Sequence, residues 1–189
     1  MKLFRSASFF LMVSIALGFA LGASLPPYTV YALMLSGIGV KEYGLYFELF
    51  TAIFVTPSLA DFLFNEVAMA WLYSWYRNEA GYKEVIVFLG SGVLGNLASL
   101  YFLPPNVLTS GASGGIMGVF AYYLTRDAFL RGAKLKDLVY VFFFVGYVIV
   151  FSAVLFQNVN NFAHLFGALG GVIAGVAEYS LKGRGDRAE

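Results

Sequence analysis

Long apolar runs, bounded by charges and turn residues, recur along this chain at residues 9–24, 59–76, 85–102, 112–125, 138–156 and 162–181. Crossing a hydrocarbon core of about 30 Å takes about 20 helical residues. In lipid a backbone with no water to bond must satisfy itself, so runs of this length and polarity fold as helices. The rest of the composition agrees: 60% hydrophobic residues, 12% charged residues and a mean hydropathy of +0.76 over 189 residues are too apolar for a water-soluble domain. The expected fold is all-α: a polytopic membrane protein of six transmembrane helices, forming a single domain over residues 1–189. Residues 25–58 carry Pro26, Pro27 and Pro57 and mix aromatics with Lys41, Glu42 and Glu48, which makes them a long structured outer loop after the first helix. Tyr28, Tyr31, Tyr43, Tyr46 and Phe47 of that loop suit the membrane interface. An alternative for the first run is a cleaved signal peptide, since Lys2 and Arg5 precede it and small residues follow.

Basic residues set the orientation. Lys2, Arg5, Arg77, Lys83, Arg126, Arg131, Lys134, Lys136, Lys182, Arg184 and Arg187 fall in one set of connections, and only Lys41 falls in the other. The positive-inside rule then puts both termini in the cytoplasm, the tail at 182–189 included. A bare chain of this kind suits a prokaryotic plasma membrane.

Charge and residue counts exclude several function classes. With 12 basic and 11 acidic residues, a net charge of +1 offers little to a phosphate backbone, so nucleic acid is not an expected partner. No Cys and a single His remove disulfides, thiolate chemistry and multi-histidine metal cages, and no metal or cofactor is expected.

Polar groups at bilayer depth are costly and ask for a partner or a role. Asp61 and Asn65 lie four apart on one face of the second helix; Ser113 opens the fourth, within Thr109-Ser110-Gly111-Ala112-Ser113-Gly114-Gly115; His164 opens the sixth, after Gln157-Asn158-Val159-Asn160-Asn161. From Ser113 to Arg126 is 13 residues and from His164 to Lys182 is 18. At about 1.5 Å per residue, hydroxyl and imidazole lie within reach of each other below the outer surface. Glycine stripes support close approach: Gly167, Gly171 and Gly175 below His164 on the sixth helix, and Gly111, Gly114, Gly115 and Gly118 forming a smooth face on the fourth. A serine nucleophile needs a base, which a neutral imidazole supplies. Backbone N–H groups at the start of the fourth helix, with Asn65, are candidate oxyanion donors. Each residue has a plainer reading: Ser113 as a small packing residue, His164 as an interfacial hydrogen-bonder, Asn65 as interhelical glue.

Gly111-Ala112-Ser113-Gly114 resembles the GxSG nucleophile motif of the rhomboid family of intramembrane serine proteases, and Ala163-His164-Leu165-Phe166-Gly167 with Gly171 resembles its AHxxG helix. Residues 49–65 resemble the loop and helix that end in the family's HxxxN, and the likeness spans about residues 8–181. The resemblance implies a Ser113/His164 catalytic dyad, with Asn65 helping to bind the oxyanion. It also implies transmembrane protein substrates cut near the outer end of a helix, entering beside the Phe-rich Val141-Phe142-Phe143-Phe144. The chain departs from the family at three places. Asp61 replaces the His of HxxxN, Phe47-Glu48 stands at the Trp-Arg pair of the first outer loop, and Met117 stands at a common Tyr. A carboxylate at Asp61 opposes the oxyanion unless it is neutral or points elsewhere; alternatively Asp61 orients His164 as the third member of a triad. The leading expectation is a serine endopeptidase of membrane helices. The alternatives are a rhomboid-like protein that binds helices without cutting them and a small transporter or channel, the latter disfavoured because the polar groups gather at one end.

Overall fold

The computed structural model describes residues 7–76, 79, 81–130, 139, 143, 146 and 159–185. Eight helices and two very short strands appear among them. Helix α1 (Ala7–Ser24) stops before Pro26, and α2 (Pro27–Tyr31) takes a proline in its first turn, where no N–H is needed. Strand β1 (Leu35–Ser36) leads into α3 (Gly37–Tyr43), whose N-cap Ser36 accepts the Gly39 N–H at 2.7 Å. Helix α4 (Glu48–Phe54) ends at an extended Val55, and after Pro57 the chain resumes as α5 (Leu59–Tyr76), bent 83° from α4. Then come α6 (Tyr82–Phe102), β2 (Leu108–Thr109), α7 (Ser113–Leu130) and α8 (Asn161–Gly185). The strands pair antiparallel, Leu35 with Thr109 and Ser36 with Leu108.

Helices α1, α6 and α8 are long and apolar enough to cross a membrane, and α4 with α5 makes a fourth such unit if the bent pair counts as one. The chain therefore has three or four candidate spans among the described residues, where the sequence suggested six. The expected fifth run, 138–156, and its Phe-rich segment lie outside the described residues apart from positions 139, 143 and 146. Helix α7 has a different reason for falling short. Residues 114–123 are buried without interruption, so α7 is the central helix and is shielded from lipid by its neighbours. A helix so wrapped needs small residues for close contact more than it needs apolar bulk.

Residues 25–58 are not a loop throughout. Leu49, Ala52 and Ile53 of α4 are buried in the bundle, the Asn96 amide of α6 donates to the Leu49 carbonyl at 2.9 Å, and Ile53 fills the space above Gly92. Tyr28, Tyr31, Tyr43, Tyr46 and Phe47 are exposed. Glu48, aligned with a family Arg, is buried at 3% exposure and accepts the Ser36 N–H at 2.9 Å beside Gly39. This bond ties β1 to α4, and the same carboxyl packs against Gly39 of α3.

Helix α1 is part of the core: Leu11 and Ile15 join Met69 and Leu72 of α5, Phe88 of α6 and Val119 of α7. Far from Ser113, Glu84 is 1% exposed and receives the Ser8 hydroxyl at 2.5 Å and the Tyr123 hydroxyl at 2.7 Å. Nearby, Lys83 pairs with Glu178 at 2.8 Å, Tyr122 donates to Glu178, and Arg126 reaches Glu79 at 3.4 Å. The start of α1 and the last turns of α8 thus share one end of the bundle.

Candidate active site

The opposite end holds Ser113 and His164. Ser113 is the first residue of α7, and the chain reaches it through Gly111 at φ +125°, a conformation that L side chains rarely adopt. The Gly111 N–H bonds the Ala52 carbonyl of α4 at 2.8 Å, and the β1–β2 pairing holds Leu108 and Thr109, so the approach to Ser113 is moored on both sides. His164 lies in the first turn of α8, which Asn160 caps. The Asn160 Oδ1 accepts the Ala163 N–H at 3.0 Å, while its Nδ2 donates to Ser99 Oγ on α6 at 2.7 Å and to Thr109 Oγ1 at 3.1 Å. One side chain therefore fixes the start of α8 against both α6 and the segment leading to Ser113. The polar run around Asn160 was visible in the sequence; an Asn three residues ahead of a helical N–H is the signal that assigns it as a cap.

Between α7 and α8 backbone meets backbone. A methyl on Gly114 would lie 3.2 Å from the Ala163 carbonyl oxygen, and one on Gly118 would lie 3.0 Å from that of Gly167. Methyls on Gly167 and Gly171 would overlap the Gly114 and Gly118 carbonyls outright. The stripe on α8 thus faces α7 as expected. The glycines near Ser113 do not form one face: Gly114 meets α8, Gly118 sits between Ser91 of α6 and Gly167 of α8, Gly115 packs on Phe88 of α6, and Gly111 lies in the preceding turn. Met117 packs with Ala121 and Ala168, a turn below His164.

At this closeness Ser113 Oγ lies 2.7 Å from His164 Nε2. His164 is 8% exposed, and Ser113 is half-buried. When Nε2 accepts the hydroxyl proton, the ring's own hydrogen sits on Nδ1, which has no hydrogen-bond partner among the described residues. Asp61 therefore does not orient His164, and the triad alternative is set aside. Instead the Asp61 carboxyl lies under the turn before Ser113: Oδ2 accepts the Thr56 hydroxyl at 2.8 Å and stands 2.9 Å from where a methyl on Gly111 would be. Asn65, one turn along α5, is 4% exposed; its amide faces Asp61, yet Nδ2 meets hydrogen-bond geometry with no described residue. Helix starts carry N–H groups without intrahelical partners, and those of α7 begin at Ser113. Among the described residues no cluster of acidic residues and His could hold a metal ion.

The sequence pattern of the family described as Rhomboid domain matches residues 43–180. The chain belongs to the rhomboid family. It is similar to two proteins of Bacillus subtilis (strain 168). With YdcA, which carries a rhomboid-protease name, it is 28% identical over 140 residues, covering 72% of this chain and 68% of YdcA. With the rhomboid protease GluP it is 28% identical over 152 residues, covering 76% of this chain and 29% of GluP. Family and apolar helices together make the chain an integral membrane protein, and rhomboids act on transmembrane substrates within the membrane.

Proposed function

We propose that this rhomboid is an intramembrane serine endopeptidase that hydrolyses peptide bonds of transmembrane proteins by a Ser113/His164 dyad. The observation that carries the reading is the 2.7 Å approach of Ser113 Oγ to His164 Nε2 at the mouths of two helices. At that distance His164 takes the hydroxyl proton as Ser113 Oγ attacks the scissile carbonyl carbon. The negative charge passes to the carbonyl oxygen, where the first N–H groups of α7 and the Asn65 amide receive it. Collapse expels the amine, which takes its proton from the imidazolium, and leaves an acyl group on Ser113. Water, deprotonated by the same imidazole, then releases the acid.

The membrane arrangement belongs to the same proposal: six spans, both termini cytoplasmic, and Ser113 opening toward the outer side. It rests on the distribution of basic residues and on the start of α1 lying at the end of the bundle remote from Ser113.

The test is cleavage of a transmembrane substrate by purified protein in vesicles. Ser113→Ala and His164→Ala are each expected to abolish cleavage, and a serine-directed fluorophosphonate is expected to label Ser113. Cleavage that persists in either variant would falsify the dyad, and an unlabelled Ser113 favours a rhomboid that binds helices without cutting them.

A further inference from the structure

Asp61 puts a carboxyl beside the turn that delivers the nucleophile, and nothing described around it carries a positive charge. Its neighbours, the Thr56 hydroxyl and the Asn65 amide, are neutral. The three cations whose side chains are described are committed elsewhere: Lys41 to the Leu100 carbonyl at 2.7 Å, Lys83 to Glu178, and Arg126 to Glu79. Gly111 and Ser113 are two residues apart, so their Cα atoms are at most about 7 Å apart. A negative Asp61 therefore stands close enough to oppose the oxyanion formed at Ser113, in surroundings that screen poorly. Asp61 is also half-buried rather than sealed.

We propose that the missing positive charge comes from the substrate: Asp61 is a specificity residue that selects membrane helices carrying a Lys or Arg within two residues of the bond that is cut. The inference rests on the dyad proposed above. A cation placed against Asp61 cancels the charge that opposes the oxyanion and anchors the chain next to Ser113. Such a side chain reaches from a helix end by laying its apolar stem along the bundle. On the outer side of a membrane, where juxtamembrane basic residues are sparse, this requirement narrows the set of substrates.

The experiment uses the full chain in phosphatidylcholine vesicles and one transmembrane substrate in which Lys, Met or Glu is placed in turn at each of the four positions flanking the cleaved bond. For at least one position, Lys is expected to be cut about tenfold faster than Met, and Glu more slowly than Met. Asp61→Asn is expected to shrink the Lys preference to within about twofold, and Asp61→Lys to turn it toward Glu. A wild type indifferent to Lys at all four positions, or a Lys preference intact in Asp61→Asn, overturns the inference. So does a Lys-indifferent rate that climbs as pH falls, which makes a proton the neutralising charge. Fluorophosphonate labelling of Ser113 in each variant separates the two readings. Labelled protein without a Lys preference sinks the specificity and leaves the dyad standing, whereas cleavage that does not need Ser113 sinks both.

Discussion

Asn160 shows how much of this site depends on a single neutral side chain. Its oxygen closes the first turn of α8 and its nitrogen spans Ser99 and Thr109, so the height of His164 is set by three hydrogen bonds to three different segments. Asn160→Ala removes a cap, a loss of about 1 kcal/mol, and frees the imidazole to drift from Ser113. Misplacement on the scale of an ångström lowers the rate by about 100-fold, so cleavage is expected to fall far more than stability. Asn160→Asp keeps the capping oxygen and loses both donated bonds; it is expected to keep the thermal midpoint closer to wild type while activity still falls. Thermal denaturation in detergent beside cleavage rates checks both variants. Residues of this kind are legible only in part from sequence. Ser113 and His164 stood out because a hydroxyl and the one imidazole fall at similar depth at the starts of two glycine-striped helices. Glu48 did not, because its position was read by the charge it lacks; only the fold shows its carboxylate receiving the Ser36 N–H.

The contact that decides the geometry at the level of elements is α7 against α8. Glycines there let carbonyl oxygens lie against Cα atoms, so a single side chain on this seam acts on the whole pair of helices. Gly171→Leu drives a side chain into the Gly118 carbonyl, and the expected results are a stability loss of about 1–3 kcal/mol or more and loss of fluorophosphonate labelling at Ser113. Ile173→Leu, on the exposed face of the same helix, is expected to change stability by no more than about 0.5 kcal/mol. Element boundaries were largely readable, because Leu59–Tyr76 and the ends at Ser24 and Phe102 are set by prolines and charges that interrupt apolar runs. Helix α4 was not readable. Pro57 and the charges around Glu48 look like a surface loop in one dimension, and only packing against Gly92 and Asn96 draws α4 into the core.

Over the whole molecule, polar chemistry is divided between two ends joined by apolar packing. Around Ser113 the polar groups serve the proposed reaction; around Glu84 they join α1, α6, α7 and α8 where the helices converge. The first end is legible in the sequence and the second is not, because Lys83 and Arg126 stand in the sequence only as charges that mark a membrane face. The absence of Cys makes the orientation simple to measure. Tyr46→Cys, at an exposed position on the Ser113 end, is expected to react with a membrane-impermeant maleimide added to intact cells. Leu181→Cys, also exposed but at the other end, is expected to react only after permeabilisation. The reverse pattern overturns the proposed orientation.

Gly167 and Gly171 lie three and seven residues beyond His164, and each rests on a carbonyl of α7. This spacing works like a ratchet with fixed teeth. Adding or deleting one residue between His164 and Gly167 turns the imidazole by about 100° around its helix. No rotamer recovers such a turn, so this stretch of the chain can drift in residue type but not in length.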